Sequence, residues 1–382
     1  MTDTPYIVRF LSVEDLLREK SHFLLGPRQT GKTSLVTRTL HNVRVFDLLD
    51  SSVFLDLSRD PGRLESELTP ADRYIVIDEI QRLPSLLHEV HRLIEKRKIR
   101  FLLTGSSARK LRRGGVNLLG GRAREKYLYP FTRGELGKHF SLEKALSSGL
   151  LPPIYFSPSA RADLDAYAGL YLREEIVAEA VTRNVPAFSR FLKIAAQCNG
   201  MIVNYTNIGN DAQVPRTTVY EYYEILKDTL IIHELPAWKQ SRKRKPLVSS
   251  KYYFFDVGVV SSLQGRIFVA GTTEYGQAFE TYIAHELRAY SGYVSGEPLN
   301  YWKSITGFEV DFILGEHTAV ELKAKRTVSE QDIRSLIALS EENRMKRYLC
   351  VCLDSRPRTI GKVRVLPYGH FLDELWAGEY RG

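Results

Sequence analysis

Three cysteines in 382 residues, Cys198, Cys350 and Cys352, are too few for a disulfide framework. Cys350 and Cys352 stand two apart in an apolar run, the spacing of a strand rather than of zinc ligands. No apolar stretch approaches the ~18 residues of a membrane span, which argues against a membrane role. Met1-Thr2-Asp3-Thr4-Pro5 lacks a basic flank leading into an apolar stretch, so no signal peptide is indicated and a cytoplasmic location is expected. Internal repeats and low-complexity tracts are missing too, which sets aside repeat architectures. What is present is the composition of an ordinary folded protein, 43% hydrophobic and 26% charged, with length for two or three domains. Fifty-four Lys plus Arg against 45 Asp plus Glu leave a net +9, a balance that suits an anionic partner, nucleic acid or acidic lipid, without choosing one.

Between residues 22 and 130, short apolar runs alternate with amphipathic stretches. Residues 22–25, 43–46, 53–57, 74–77, 100–103 and 126–128 read as strands, and 32–40 and 86–95 as helices. That alternation predicts an α/β unit, a parallel sheet covered by helices. Residues 131–185 turn helical, broken at Leu151-Pro152-Pro153. Residues 187–227 read as three short helices, followed by strands at 229–235 and 252–255. From Gly276 onward the order is helix, three strands, helix, strand. These breaks divide the chain at 1–135, 136–186, 187–256 and 257–382.

Gly26-Pro27-Arg28-Gln29-Thr30-Gly31-Lys32-Thr33 fits the pattern G-x-x-x-x-G-K-[ST], and it lies between an apolar strand and a helix that continues through Ser34. Such a loop turns successive backbone N–H groups toward phosphate oxygens, and glycine permits the angles and close approach this needs. Lys32 would reach the β and γ phosphates of ATP, and Thr33 would supply a hydroxyl to Mg²⁺. Tyr74-Ile75-Val76-Ile77-Asp78-Glu79 is an apolar strand ending in two carboxylates. Asp78 would hold Mg²⁺, and Glu79 would orient and deprotonate the attacking water. The strand at 100–103 ends in Thr104-Gly105-Ser106-Ser107. Ser106, with Thr104 close behind, is the candidate to touch the water or γ phosphate, the alternative being a helix cap.

These residues resemble the AAA+ ATPases, in particular the bacterial and archaeal group whose ATPase is followed by a domain of unknown function of the DUF4143 kind. Gly120-Gly121-Arg122, Tyr129-Pro130-Phe131, Asp256-Val257-Gly258, Phe279-Glu280 and Glu309-Val310-Asp311-Phe312 extend the resemblance through most of the chain. It implies a P-loop core at 1–135, a helical lid or linker at 136–186, and Arg122 acting as an arginine finger on a neighbour's ATP. That role needs a homo-oligomer, a hexamer being one form; the alternative is a structural cation.

The middle stretch, with three short helices and two strands around a loop, has a winged helix-turn-helix layout over 187–256. Arg216, Thr217 and Thr218 open the third helix, where a major-groove reader would place its contacts. The loop carries Lys239, Arg242, Lys243, Arg244, Lys245 and Lys251 with no acid among them, suited to phosphate contacts as a flexible wing. The alternative is a loop that contacts only protein.

In 257–382, Asp311 followed by Glu321-Leu322-Lys323 resembles the PD-(D/E)XK nuclease motif, and the element order resembles the restriction-endonuclease-like fold. Two carboxylates, Asp311 and Glu321, would hold a second Mg²⁺ or Mn²⁺, with Glu280 completing the shell and Lys323 steadying the water or phosphate. Asp311 faces Glu321 only if the intervening loop is the three residues Gly315-Glu316-His317 or carries a bulge. The expected function is an ATP-hydrolysing protein that binds and remodels DNA, branched or foreign, with Mg²⁺-dependent endonuclease activity as an added option. The alternative is an ATP-dependent signalling switch acting on a protein partner, with an inactive nuclease-like domain as platform.

Overall fold

The computed structural model describes residues 5–107, 118–171 and 184–382. Its first unit is a five-stranded, wholly parallel sheet of β1 (Ser21–Leu25), β2 (Arg44–Asp47), β3 (Tyr74–Asp78), β4 (Arg100–Gly105) and β5 (Ala123–Tyr127), in the order β2-β3-β4-β1-β5. β1, β3 and β4 are covered on both faces, which is why they read as unbroken apolar runs rather than alternating ones. Helix Leu86–Arg97 buries Leu86, Leu87, Val90 and Leu93 at helical spacing.

One local expectation fails here. Residues 53–57 are not a strand but part of helix Ser51–Arg59. Asp50 caps that helix by accepting from the Ser52 N–H at 2.8 Å, and Leu57 is the residue it buries while Leu55 stays exposed. The break expected at Leu151-Pro152-Pro153 is present, between helix Leu142–Ser148 and helix Pro152–Tyr155, which the prolines open where a missing N–H costs nothing. Residues 172–183 of the helical stretch lie outside the described residues.

Helices Val185–Gln197, Tyr205–Ala212 and Arg216–Asp228 follow, then the antiparallel pair β6 (Ile232–Leu235) and β7 (Lys251–Phe254). The first and third helices meet through aromatic rings, Phe188 edge-on to Tyr222 and Phe191 tilted or edge-on to Tyr222 and Tyr223, at 4.9–5.3 Å. The last unit is a six-stranded mixed sheet, order β12-β13-β11-β10-β9-β8. Its strands are β8 (Leu299–Lys303), β9 (Glu309–Leu314), β10 (Thr318–Lys323), β11 (Arg347–Cys352), β12 (Arg358–Ile360) and β13 (Val363–Pro367). β8, β9 and β10 are antiparallel neighbours, whereas β10 and β11 run parallel across the helix Arg334–Ser340. The hairpin after β11 and the final helix Tyr368–Trp376 were not expected. Among the described residues no helix is long and apolar enough to cross a membrane.

One hydrophobic core takes in Ile7 and then residues from Phe131 to Tyr380, and so joins the helical stretch, the three-helix unit and the last sheet. At its junction with the first unit stands Glu286, fully buried on helix Thr273–Tyr290. Its carboxylate accepts from the Arg133 N–H at 2.6 Å, the Trp376 indole at 3.0 Å and the Tyr282 hydroxyl at 3.2 Å. Burial outweighs these donors and pushes the group up to about 7. A carboxyl raised on folding gives up stability as pH climbs from its unfolded value through its folded one. Wild-type protein is therefore expected to lose up to about 3 kcal/mol relative to Glu286→Gln between about pH 4.5 and 7. Urea melts of both proteins across that range check it, and a constant difference refutes it.

Candidate nucleotide site and carboxylate cluster

β1 delivers the chain to Gly26, whose N–H bonds the Gly105 carbonyl at 3.2 Å. A Cβ on Gly26 would stand 2.4 Å from the Leu128 carbonyl oxygen, so the loop passes where only glycine fits. Gly31, at φ +94°, opens helix Lys32–Thr39. Lys32 is buried with its ammonium on the Gly26 carbonyl at 2.7 Å and the Pro27 carbonyl at 3.1 Å. The loop is braced by Arg9, which sequence reading missed. Its guanidinium donates to the Thr30 carbonyl at 2.8 Å and the Tyr129 carbonyl at 2.6 Å while pairing with Glu135 at 3.0 Å. Beside the loop lies a cavity of about 450 Å³ whose walls include Tyr6, Ile7, Arg38, Phe131, Pro152 and Phe156.

Asp78, at the end of β3, accepts from the Thr33 hydroxyl at 2.9 Å, from the Thr104 hydroxyl, and from the Glu79 N–H at 3.1 Å. Hydroxyl and carboxylate side by side are hard oxygen donors, the set Mg²⁺ takes. Thr104, the second choice, is thus the residue on the carboxylate. Ser106 instead accepts from the Gln81 amide at 3.1 Å, and the same amide reaches the Glu79 carboxylate. Glu79 sits at φ 58°, a left-handed angle uncommon for its type, just past the strand end. Gln81 was not foreseen; the only signal was its place two residues after the expected base. The stretch after Ser107, which Ser106 would cap in its alternative role, falls outside the described residues. Thr104→Val would leave a buried carboxylate oxygen short of a donor, a loss of about 1–3 kcal/mol. Roughly tenfold weaker Mg²⁺–ATP binding is expected, and an unchanged titration with a fluorescent nucleotide would contradict that role.

Arg122 lies at the other edge of the sheet. Ala123 pairs with Ser21 at the start of β1, whereas the phosphate loop follows Leu25 at its end, about 13 Å away at ~3.3 Å per residue. Its guanidinium pairs with Glu95. It contributes nothing to the loop of its own chain.

In the last sheet the loop between β9 and β10 is Gly315-Glu316-His317, and Val320 pairs with Phe312. The next step of that register sets Glu321 opposite Asp311, as an odd loop requires. The Leu322 N–H donates to Asp311 at 2.7 Å, and Lys323 pairs with Glu321 at 2.6 Å. Glu321 Oε2 is buried without a hydrogen-bond partner. Glu280 receives the Tyr253 hydroxyl and lies 3.8 Å from the Lys251 ammonium. Burial and then Asp311 push Glu280 up to about 7 and Glu321 well above the usual carboxylate range. Among the described residues no three His, Cys, Asp or Glu side chains are gathered closely enough to cage a metal.

The basic loop is not a free wing. It runs along β8, the edge strand of the last sheet, with Trp238 N–H on the Tyr301 carbonyl at 2.6 Å and Leu247 N–H on the Lys303 carbonyl at 2.8 Å. Glu342 accepts from the backbone N–H groups of Arg242 at 2.9 Å, Lys243 at 3.0 Å and Arg244 at 3.2 Å. An edge strand's unpaired groups and one buried acid thus hold the strap down. Arg244 itself pairs with Glu341 at 2.8 Å, and Lys251 turns inward, while Arg242, Lys243 and Lys245 stay exposed. Arg216 and Thr217 are exposed at the start of their helix and Thr218 is half-buried.

Comparison with known proteins agrees with the first unit and names the others. Residues 18–137 match the model of an AAA domain, 139–267 a domain of unknown function (DUF8612), and 275–371 a second one (DUF4143). No curated protein matches the sequence. Among solved structures, the Aeropyrum pernix Orc1 protein in complex with DNA is 14% identical over 66% of this chain and 90% of its own, with a TM-score of 0.27. The signal transduction ATPase with a tetratricopeptide repeat sensor from Pyrococcus horikoshii is 13% identical over 75% of this chain and 46% of its own, with a TM-score of 0.22. Residues 18–137 thus carry the match to an AAA domain, and residues 275–371 the match to a DUF4143 domain.

Proposed function

We infer that the chain is an AAA+ protein that hydrolyses ATP at the C-terminal edge of its parallel sheet and couples this to DNA held by its second half. The observation that carries the catalytic reading is Asp78 gripped by Thr33 and Thr104 beside the Lys32 loop. Lys32 exchanges the loop carbonyls for phosphate oxygens, and the loop N–H groups take the rest of the charge. Thr33 and Asp78 would hold Mg²⁺, which would supply the charge that neutralises the phosphates. Glu79 takes the proton of the attacking water, with Gln81 and Ser106 fixing its carboxylate. The cavity walled by Tyr6 and Phe131 suits a flat apolar base next to the loop.

Arg216, Thr217 and Thr218 present a polar, acid-free helix start, and Arg242, Lys243 and Lys245 add exposed charge on the strap. Neutralising those three strap residues is expected to weaken DNA binding alike for all sequences and to flatten its salt slope by ~0.9 per lost phosphate contact. An unchanged slope in a binding titration would assign the strap to protein alone. ATPase rate with and without duplex, single-stranded and four-way-junction DNA tests the coupling; no stimulation by any of them would sink it.

Asp311, Glu321 and Lys323 support the nuclease-like reading of the last sheet, the unpartnered Glu321 oxygen being the observation that fits a divalent ion. Such an ion would polarise water and a scissile phosphate. The second reading, a switch that acts on a protein partner, is favoured by the strap being sealed to the last sheet. It predicts no cutting and ATPase indifferent to DNA.

A further inference from the structure

Helix Arg216–Asp228 buries Val219, Tyr222, Tyr223 and Leu226. Its other face carries Arg216, Tyr220, Glu224 and Lys227, at the spacing of one helical stripe. That face walls a groove of about 700 Å³, bounded further by residues 204–206 and by the strap end at 248–250. The volume is that of a site for a small molecule or one unit of a polymer. Tyr220 is 53% exposed and meets Tyr205 edge-on, ring centres 5.8 Å apart. Tyr205 is held in turn by the Tyr252 hydroxyl at 3.1 Å. An edge contact steadies the Tyr220 ring without covering its faces. The charges are sorted by end. Lys227 lies between two acids, 3.0 Å from Glu224 and 2.8 Å from Glu234, and the Ser250 hydroxyl donates to the other Glu234 oxygen at 2.6 Å. Glu234 is thereby satisfied, whereas Glu224 uses one oxygen and stays partly exposed. Arg216, two turns from Glu224, is exposed and has no ion-pair partner among the described residues. The groove is thus cationic at one end, aromatic in the middle and rich in acceptors at the other.

We propose that this groove takes one unpaired nucleotide of single-stranded DNA, its phosphate on Arg216, its base on the Tyr220 ring and its base edge on the Glu224 carboxylate. The inference rests on the reading that the second half of the chain holds DNA, and names the form held. Arg216, Tyr220 and Glu224 follow one another at four-residue steps and so span ~12 Å along the helix. That is comparable to the reach of one nucleotide from its phosphate to its base edge. A paired base has its faces on its neighbours and its edge on its partner, so duplex offers nothing that the groove can hold. A carboxylate only accepts, so the base edge must donate. Guanine presents two donors side by side on its pairing edge, N1–H and the N2 amine, whereas thymine presents one donor between two carbonyl oxygens that repel the acid. Guanine is therefore the preferred base. Arg242, Lys243 and Lys245, exposed on the strap that leads to the groove wall, take flanking phosphates.

The test is a fluorescence-anisotropy titration of nucleotide-free full-length protein with labelled oligo-dT, the same strand carrying one central dG, and a duplex of equal length. The dG strand is expected to bind at least ~5-fold tighter than oligo-dT, the lower worth of a bidentate base contact. Tyr220→Ala should weaken both single strands by roughly 5- to 100-fold, the worth of one base on an aromatic ring, and leave the duplex unchanged, while Tyr220→Trp keeps single-strand affinity. Glu224→Gln, which sets an amide N–H₂ against the guanine donors, should erase the preference for dG. Arg216→Gln should flatten the single-strand salt slope by ~0.7. The three positions lie outside the core, and equal melting temperatures confirm that the variants fold. Single strands held as tightly by Tyr220→Ala, or a dG preference that survives Glu224→Gln, would overturn the assignment of the groove. Binding of duplex alone would overturn it too while keeping DNA as the partner. Failure to bind any of the three would remove both readings.

Discussion

Glu79→Gln is expected to bind ATP as tightly as wild type and to hydrolyse it slower by ~10²-fold or more, the usual worth of a positioned base. Lys32→Ala should act at the earlier step. Its ammonium is buried against the carbonyl oxygens of Gly26 and Pro27, contacts that phosphate oxygens would replace. A charged hydrogen bond lost in that place is worth about 1.5–3 kcal/mol, so affinity should drop by roughly 10- to 100-fold. Binding measured with a fluorescent nucleotide and hydrolysis measured under saturation separate the two variants. Normal turnover in Glu79→Gln would move the base elsewhere; Gln81, on the same carboxylate and on Ser106, could then only be a positioning group.

The parts of the site that sequence revealed are those written in consecutive residues. The phosphate loop and the Asp78-Glu79 strand end each carry their own geometry, because a buried parallel strand reads as an apolar run that ends at the sheet's functional edge. The β9–β10 register was equally legible, since the parity of the Gly315-Glu316-His317 loop decides which side chains oppose. What could not be read depends on partners far along the chain. Gln81 matters only because β4 lies beside β3 and brings Ser106 to it. The basic loop's composition suggested a flexible wing, but its backbone is held by Glu342, about a hundred residues on. Lys251 carries the same charge as its exposed neighbours and faces the opposite way because it stands inside β7. Asp256-Val257-Gly258, known only as part of a resemblance, is a joint between units. Asp256 accepts the Leu150 N–H at 2.6 Å and caps the next helix through Val259 at 3.1 Å. A Cβ on Gly258 would stand 2.5 Å from the Ser148 carbonyl.

Arg122→Ala should leave ATP binding intact and slow hydrolysis by ~10³-fold or more, the lower bound for a cation supplied to the transferring phosphate. The position of Arg122 makes this a statement about two chains. It lies at the edge of the sheet opposite the phosphate loop, paired with Glu95, so within one chain it has no path to the γ phosphate. A neighbour's nucleotide is the remaining phosphate it could reach, and leaving Glu95 is cheap because both side chains are partly exposed and solvent screens the pair. Mixing provides the sharpest measurement. Glu79→Gln chains retain Arg122 but cannot use their own water, and Arg122→Ala chains retain Glu79 but lack the finger. If the finger acts between chains, a mixture of the two inactive proteins should regain part of wild-type turnover at the interfaces where an intact Glu79 meets an intact Arg122. Wild-type activity should also rise faster than in proportion to protein concentration where subunits associate. A mixture as inactive as its components, with wild-type rates strictly proportional to concentration, would make Arg122 a structural partner of Glu95 and nothing more.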